Sequence, residues 1–335
     1  MPQQAIFSVA DPSEVGAIRR AAQRLADVHA LSATAAGAVA IVASELATNL
    51  SRYATNGRIF LRALPHADDA IIEVLSVDDG PGLDPQRALQ DGYSTGGTAG
   101  NGLGAVRRLS GEFDLFSAPG SGTVVLARIG EGAERRRRFT WGVAQTAALH
   151  ETVSGDAWRV AEDAAGLSVL MADGLGHGEQ AAIAARAVAG AFDAEPFVAP
   201  QLVCERAHLA AQGTRGAAVS AARIAGTTLR YAGVGNIAGT VIEGQKGRGL
   251  ANQNGTVGLQ VRRVQEFGYN WGPGSLLVLH SDGLHHRWAL DTYRGLAVRH
   301  PSVIAAVLHR DCLRGRDDAT VVVVKQAGSA EKMHD

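Results

Sequence analysis

The stretch GEGAERRRR at positions 130–138 offers no apolar periodicity, and it divides the chain into two halves that each carry their own buried-residue pattern. A chain of 335 residues is too long for one comfortable core. The expected organisation is therefore a first domain over 1–130, a basic linker over 131–138, a second domain over 139–327 and a tail over 328–335. The arginine run from Arg135 to Arg138 reads as a solvated connector. No internal repeat is visible.

Bulk properties narrow the class of partner. A hydrophobic content of 46% with 19% charged residues is that of a globular protein. A net charge of −1 supplies no long-range field, so neither nucleic acid nor a membrane surface is the expected partner. Cys204 and Cys312 are far apart and form no C-x-x-C pair, which leaves them as small apolar residues. The amino terminus lacks a secretory pattern. The alanine-rich segment 31–50 is interrupted by Glu45 and Asn49, so no bilayer span and a cytoplasmic location are expected.

Apolar spacing predicts helices over 13–29 and 34–54, with Ser13 and Thr34 as N-caps, and a further helix from 103 to 109. Strands are expected at 58–64, 70–77, 112–117 and 123–129. Together these make a helix layer on an antiparallel sheet. The second half reads as many strands with two grouped helices near 179–192 and 200–212, a later helix at 303–312 and a valine-rich last strand at 319–325. The fold class is α+β in both halves.

In the first half, Glu45 and Asn49 lie one helical turn apart and face the same way. An amide oxygen can ligate Mg²⁺ beside phosphates, and a neighbouring carboxylate can take a proton from an attacking hydroxyl. Asp78 follows a strand and can accept a hydrogen bond from an exocyclic amine, while Gly80 and Gly82 let the backbone turn closely around a ligand. Gly100, Gly102, Leu103 and Gly104 open a helix whose bare amides suit a phosphate, and Gly122-Thr123 enters the next strand. Each piece alone is also an ordinary turn or a solvated helix face. Their order is what points to a nucleotide.

In the second half, Asp156, Asp173, Asp282 and Asp317 each sit in a turn beside a strand. Hard oxygen ligands of this kind suit Mg²⁺ or Mn²⁺, and a two-ion site can activate water for attack on phosphorus. His177, His280, His285 and His286 lie near these motifs and read as surface or supporting groups. Arg287 and Arg316 are the arginines nearest in sequence for gripping a phosphate.

The ordered motifs of the first half resemble the GHKL (Bergerat) ATP-binding fold of histidine kinases, gyrase and anti-sigma-factor serine kinases. The string Asp91-Gly92-Tyr93-Ser94-Thr95-Gly96, with Arg107-Arg108-Leu109, is most similar to the stressosome switch kinases of RsbT type. That resemblance implies Glu45 as general base, Asn49 as Mg²⁺ ligand, Asp78 as adenine reader, nucleotide loops at Gly82, Gly102 and Gly104, and Thr123 in the phosphate region. Thr98-Ala99-Gly100-Asn101 departs from the usual glycine-leucine run.

The strings around Asp156, Asp173-Gly174-Leu175-Gly176-His177-Gly178, Asn236, Gly255 and Asp317-Asp318-Ala319-Thr320 resemble PP2C-like SpoIIE phosphatases, in particular the compact RsbX type. That family implies an α/β/β/α sandwich, Asp156 and Asp173 bridging two metal ions, a contact from the Gly174 carbonyl, and Asp282 and Asp317 completing the set. Asp318 would stand in the outer shell.

Together the resemblances imply ATP and Mg²⁺ in one half and two Mn²⁺ or Mg²⁺ ions in the other. The implied activity is a serine/threonine kinase and phosphatase acting on a STAS-domain protein, with a sigma factor or downstream enzyme as a further partner. The alternative is a nucleotide-gated binding switch fused to an active phosphatase.

Overall fold

The computed structural model describes residues 4–64, 70–89, 102–130, 138–244 and 246–326. The stretch with Gly100, most of the linker and the tail lie outside the described residues. The chain forms two compact units, Met1–Arg136 with Val298–Val303, and Arg137–Ala297 with Ile304–Asp335.

The first unit runs through β1 (Gln4–Val9), α1 (Glu14–Val28), α2 (Ala33–Tyr53), β2 (Gly57–Leu64), β3 (Ile71–Asp78), the single turn α3 (Pro85–Ala88), α4 (Gly102–Leu109), β4 (Glu112–Ser117) and β5 (Thr123–Ile129). Its strands form one antiparallel sheet in the order β1-β2-β3-β5-β4. On α1, Ile18, Ala22, Leu25 and Ala26 fall on one stripe and are buried. On α2 the stripe is Val39, Val42, Ala43, Leu46, Ala47 and Leu50. Both join Ile59, Leu61, Val74 and Val125 in one core, because alternate strand residues share a sheet face.

On the other strand positions an ionic ladder crosses four strands. Arg62 is opposite Glu73, Glu73 opposite Arg128, and Arg128 opposite Glu112. Arg128 donates to Glu73 and to Glu112 at 2.9 Å each, and Arg62 also pairs with Glu73.

Three local expectations are corrected. Ser32, not Thr34, caps α2, accepting from the Ala35 amide at 3.3 Å, so the cap falls two residues earlier. Ser13 stands at the N-cap of α1 but its hydroxyl makes no capping bond; Glu14 instead accepts from the Ala10 amide at 2.8 Å. Finally, α2 does satisfy the length and apolarity of a membrane span, although half of that stretch is buried in the unit's own core.

The second unit contains β6 (Phe139–Thr146), β7 (Asp156–Glu162), β8 (Gly166–Gly174), α5 (Glu179–Ala194), α6 (Pro200–Ala210), β9 (Ala217–Ala225), β10 (Thr228–Val234), β11 (Ala238–Glu243), β12 (Lys246–Gly249), β13 (Phe267–Asn270), β14 (Leu276–His280), the part of α7 (Pro301–Cys312) that follows Val303, and β15 (Ala319–Gln326). Two five-stranded sheets result, β13-β10-β9-β8-β7 and β12-β11-β14-β15-β6. Helices α5 and α6 pack on the first of these through Ala184, Ala185, Val188, Phe192, Val203 and Ala207, against Leu170, Ala172 and Val219. Small alanines let α5 approach closely: a Cβ on Gly174 would stand 2.1 Å from the Ala181 carbonyl oxygen. The first turn of α5 is thereby held against the end of β8.

Candidate functional site

In the first unit the helix α2 carries Glu45 and Asn49, both half-buried. Gly102, the first residue of α4, lies directly over them. A Cβ there would come 3.1 Å from Glu45 Oε2 and 3.8 and 3.9 Å from the Asn49 amide nitrogen and oxygen. The absence of a side chain at Gly102 keeps this space open in front of a helix N-terminus, where amides and the macrodipole favour an anion. Gly104 is buried in the same turn and Leu103 packs on the core, which anchors α4 in this position.

A second group gathers at the end of β3. Asp78 is buried and accepts from the Gly80 amide at 2.7 Å, and in register it faces Thr123 on β5. The loop after it is stapled to the β4–β5 turn, since the Gly120 amide bonds the Pro81 carbonyl at 2.8 Å and the Gly122 amide bonds the Gly80 carbonyl at 3.0 Å. Gly82 has φ +73° and a Cβ there would meet the Ala118 oxygen at 2.1 Å, so only glycine fits. Thr123 Oγ1 lies 3.0 Å from Ser117 Oγ, which also receives the Leu83 amide at 2.9 Å. Thus Glu45, Asn49 and Gly102 meet at one locus, and Asp78, Gly80, Gly82 and Thr123 at another. Gly100 lies outside the described residues.

In the second unit Asp156 and Asp173 are directly opposed across β7 and β8. Asp156 is fully buried, and neither of its carboxylate oxygens has a partner of hydrogen-bond geometry. Burial pushes its carboxyl up to about 7; the nearby Thr320 and Ser281 hydroxyls temper that rise, and the charges of Asp318 and Asp282 add to it. Burial, followed by the charges of Asp156, Asp282, Asp317 and Asp318, raises the Asp173 carboxyl well above the usual range. Asp282 is raised by burial and by Asp317, against the pull of Arg314, His286 and an Asn236 amide that donates to it at 2.7 Å.

The donor set fits divalent metal ions. A buried, orphaned carboxylate amid others of like charge calls for a cation or a proton, and all the groups are hard oxygen donors. Among the described residues no three acidic, histidine or cysteine side chains stand at the spacing that would hold an ion. The Gly174 amide bonds the Gly155 carbonyl at 3.1 Å, which ties the end of β8 to the loop leading into Asp156.

Asp318 performs a different task from Asp317. Its two carboxylate oxygens accept the amides of Ala148 and Gly155 at 2.9 and 2.8 Å, which holds the loop leading into Asp156. Glycine is required on both sides, because a Cβ on Gly155 would meet Asp318 Oδ2 at 2.7 Å and one on Gly283 would meet the Asp318 carbonyl oxygen at 2.1 Å. Burial raises the Asp318 carboxyl in spite of those two amides.

The histidines near the motifs divide by environment. His280 is buried, donates from Nδ1 to the Ser281 carbonyl at 2.9 Å and accepts the Trp288 indole N–H at 3.2 Å. Burial above all lowers it to about 4, so it stays neutral. His177 is exposed and pairs with Glu151 at 2.7 Å, while His285 and His286 are exposed. Sequence reasoning gave no role to Asn236, Ser281 or Glu151. For Asn236 the usable signal was its place in the Gly235-Asn236 string; the other two acquire partners only through folding.

Residues 8–129 match the family model of the histidine kinase-like ATPase domain, and residues 163–327 match that of stage II sporulation protein E (SpoIIE). The serine/threonine-protein kinase RsbT of Bacillus subtilis (strain 168) is 39% identical over 85 residues, which are 25% of this chain and 64% of RsbT. The chain therefore spans less than two thirds of that relative's length. A solved structure described as "The bacterial stressosome: a modular system that has been adapted to control secondary messenger signaling" is 22% identical, covers 56% of this chain and 100% of its own, and has a TM-score of 0.52. RsbX in complex with magnesium is 20% identical, covers 58% of this chain and 98% of its own, also with a TM-score of 0.52. At these identities the structural likeness is one of fold. Residues 8–129 thus match the histidine kinase-like ATPase domain in a stretch similar to RsbT, and residues 163–327 match SpoIIE in a unit whose fold is like that of RsbX.

Proposed function

We propose that this chain both writes and erases phosphate on a protein serine or threonine, with a STAS-domain protein as substrate in a cytoplasmic partner-switching pathway. The observation that carries the reading is the buried, unpartnered carboxylate of Asp156 set directly opposite Asp173, in a chain whose other unit places Gly102 over Glu45 and Asn49. Similarity to RsbT supports the choice of a protein hydroxyl as acceptor.

In the kinase reaction Glu45 takes the proton of the serine hydroxyl. The serine oxygen bonds to the γ-phosphorus of ATP as the bond from that phosphorus to ADP breaks. Asn49 would hold Mg²⁺, Asp78 the adenine, and the amides at Gly102 and Gly104 the phosphates, with Gly80, Gly82 and Thr123 shaping the pocket. In the second unit Asp156, Asp173, the Gly174 carbonyl, Asp282 and Asp317 would hold two Mn²⁺ or Mg²⁺ ions. When bound, such ions supply a nucleophilic water at neutral pH and offset phosphate charge. Water oxygen then bonds to phosphorus, the phosphorus–serine oxygen bond breaks, and serine leaves with a proton. Asp318 keeps the Asp156 loop in place throughout.

The test is transfer of label from γ-labelled ATP to a STAS-domain protein, followed by a chase with Mn²⁺, using the intact chain and Asp173→Asn. Label that appears with both proteins and is lost only with the unaltered chain is the expected result. ATP binding without any transfer to STAS partners would replace the kinase with a nucleotide-gated binding switch.

A further inference from the structure

Arg215 lies by the loop that follows Asp173 and has no assigned role. It is exposed, and among the described residues its guanidinium makes no hydrogen bond or ion pair. The backbone on either side of it is held. Thr214 Oγ1 donates to the Ala211 carbonyl at 2.6 Å and accepts the Gly216 amide at 3.0 Å, while the Gly216 carbonyl accepts the Leu175 amide at 2.9 Å. The guanidinium lies over the loop that leaves Asp173: Arg215 Nη1 is 3.4 Å from where a Cβ on Gly176 would stand. Asp173 pairs with Ala218, and Arg215 comes three residues before that partner.

Two exposed leucines flank this cation. Leu175 and Leu259 are each 56% exposed. Leu175 is tied to Gly216 through its amide, and the Leu259 side chain comes within 3.0 Å of a Cβ built on Gly216, so both adjoin the same residue next to Arg215. The loop bearing Leu259 is secured by the paired Ala217 and Val257 amides and carbonyls at 2.9–3.0 Å, and by the Gly258 amide on His208 Nδ1 at 3.1 Å. An unpaired guanidinium beside two exposed apolar residues that adjoin Gly216 is the composition of a protein-recognition surface.

Resting on the phosphatase reading above, we infer that Arg215, Leu175 and Leu259 form a substrate-docking rim that reads an acidic side chain near the phosphoserine of the protein being dephosphorylated. The occupant follows from charge and distance. The lone cation calls for a carboxylate, and Arg215 precedes by three residues the Ala218 that pairs with Asp173, which puts the two backbones on the order of 10 Å apart. An extended peptide whose phosphate lies at the carboxylate cluster would place a residue about three positions away at Arg215, with neighbouring apolar side chains against Leu175 and Leu259. The rim therefore sets specificity and stands apart from the bond-breaking step.

The experiment uses the full chain with Mn²⁺ and two sets of phosphoserine peptides, identical except for glutamate or alanine two to three positions from the phosphoserine on either side. Hydrolysis of p-nitrophenyl phosphate, too small to reach the rim, reports the reaction itself. The unaltered chain is expected to favour one acidic peptide by about tenfold in kcat/KM, expressed in KM. Arg215→Ala removes that preference, Arg215→Glu reverses it, and Leu259→Ser raises KM for both peptides, all with the small phosphate hydrolysed as before. Absence of an acidic preference in the unaltered chain, its persistence in Arg215→Ala, or concentration-dependent self-association abolished by Arg215→Glu would each overturn the rim. A chain inert toward peptides and small phosphate alike would remove the phosphatase reading and the rim with it.

Discussion

Asp156 and Asp173 occupy directly opposed positions on β7 and β8, so two carboxylates share one face of one strand pair, the nearer one fully buried. Like charges placed directly opposite destabilise a sheet, so the pair is held at a cost to stability that a bound cation would relieve.

The Asp156→Asn variant should for this reason be more stable than the unaltered chain at pH 8 in chelator, by roughly 1–2 kcal/mol, and inactive as a phosphatase. Thermal unfolding of the second unit with and without Mn²⁺ checks this. The metal should stabilise the unaltered chain markedly and the variant little. A variant less stable in chelator would contradict the account.

Asp318 gives a different signature. Alanine there leaves the Ala148 and Gly155 amides without their acceptors, at about 1–3 kcal/mol for each buried group left unsatisfied. Asparagine can still accept one of the two. Mn²⁺ affinity measured by calorimetry should fall by about 10-fold or more in Asp318→Ala and less in Asp318→Asn. Equal, undiminished affinity in both would make the loop contact irrelevant to metal binding.

Acid sensitivity of the first unit should trace to Glu73. Burial alone would raise its carboxyl, but Arg62 and Arg128 outweigh burial and hold it at about 2. A depressed carboxylate contributes stability that is full above the unfolded value near 4.5 and is lost as pH falls toward 2. Glu73→Gln should remove that acid-dependent loss. It should also lower stability at neutral pH by about 3–5 kcal/mol, because two buried arginines lose their shared counter-charge. Denaturant titrations from pH 7 down to about 2 separate the two effects.

Replacing Glu45 by glutamine should cut phosphate transfer by about 10²–10⁴-fold while ATP still binds. Gly102→Val should act in the opposite order, blocking ATP binding, because its side chain enters the space 3.1 Å from Glu45 Oε2. Equilibrium nucleotide binding beside single-turnover transfer distinguishes these outcomes. Full transfer by Glu45→Gln would move the general base elsewhere.

Much of this protein is written locally. The i, i+4 spacing of Glu45 and Asn49, the strand-ending Asp78 with its glycines and the apolar stripes of α1 and α2 follow from helical and strand periods, which depend only on neighbouring residues. Other features could not be read that way. β1 is mostly solvent-exposed along its length and acquires its strand form by pairing with β2. The choice between Ser32 and Thr34 as cap turned on where the first helical amide fell. Asp317 and Asp318 are adjacent and chemically identical in sequence, yet their duties separate because the Ala148 and Gly155 amides, distant in the chain, arrive beside Asp318 alone. Local spacing determined the elements and the residue types available for chemistry. The tertiary structure decided which carboxylates face one another, which is buried without a partner and which is spent on backbone amides, because those properties depend on long-range register and on exclusion of water.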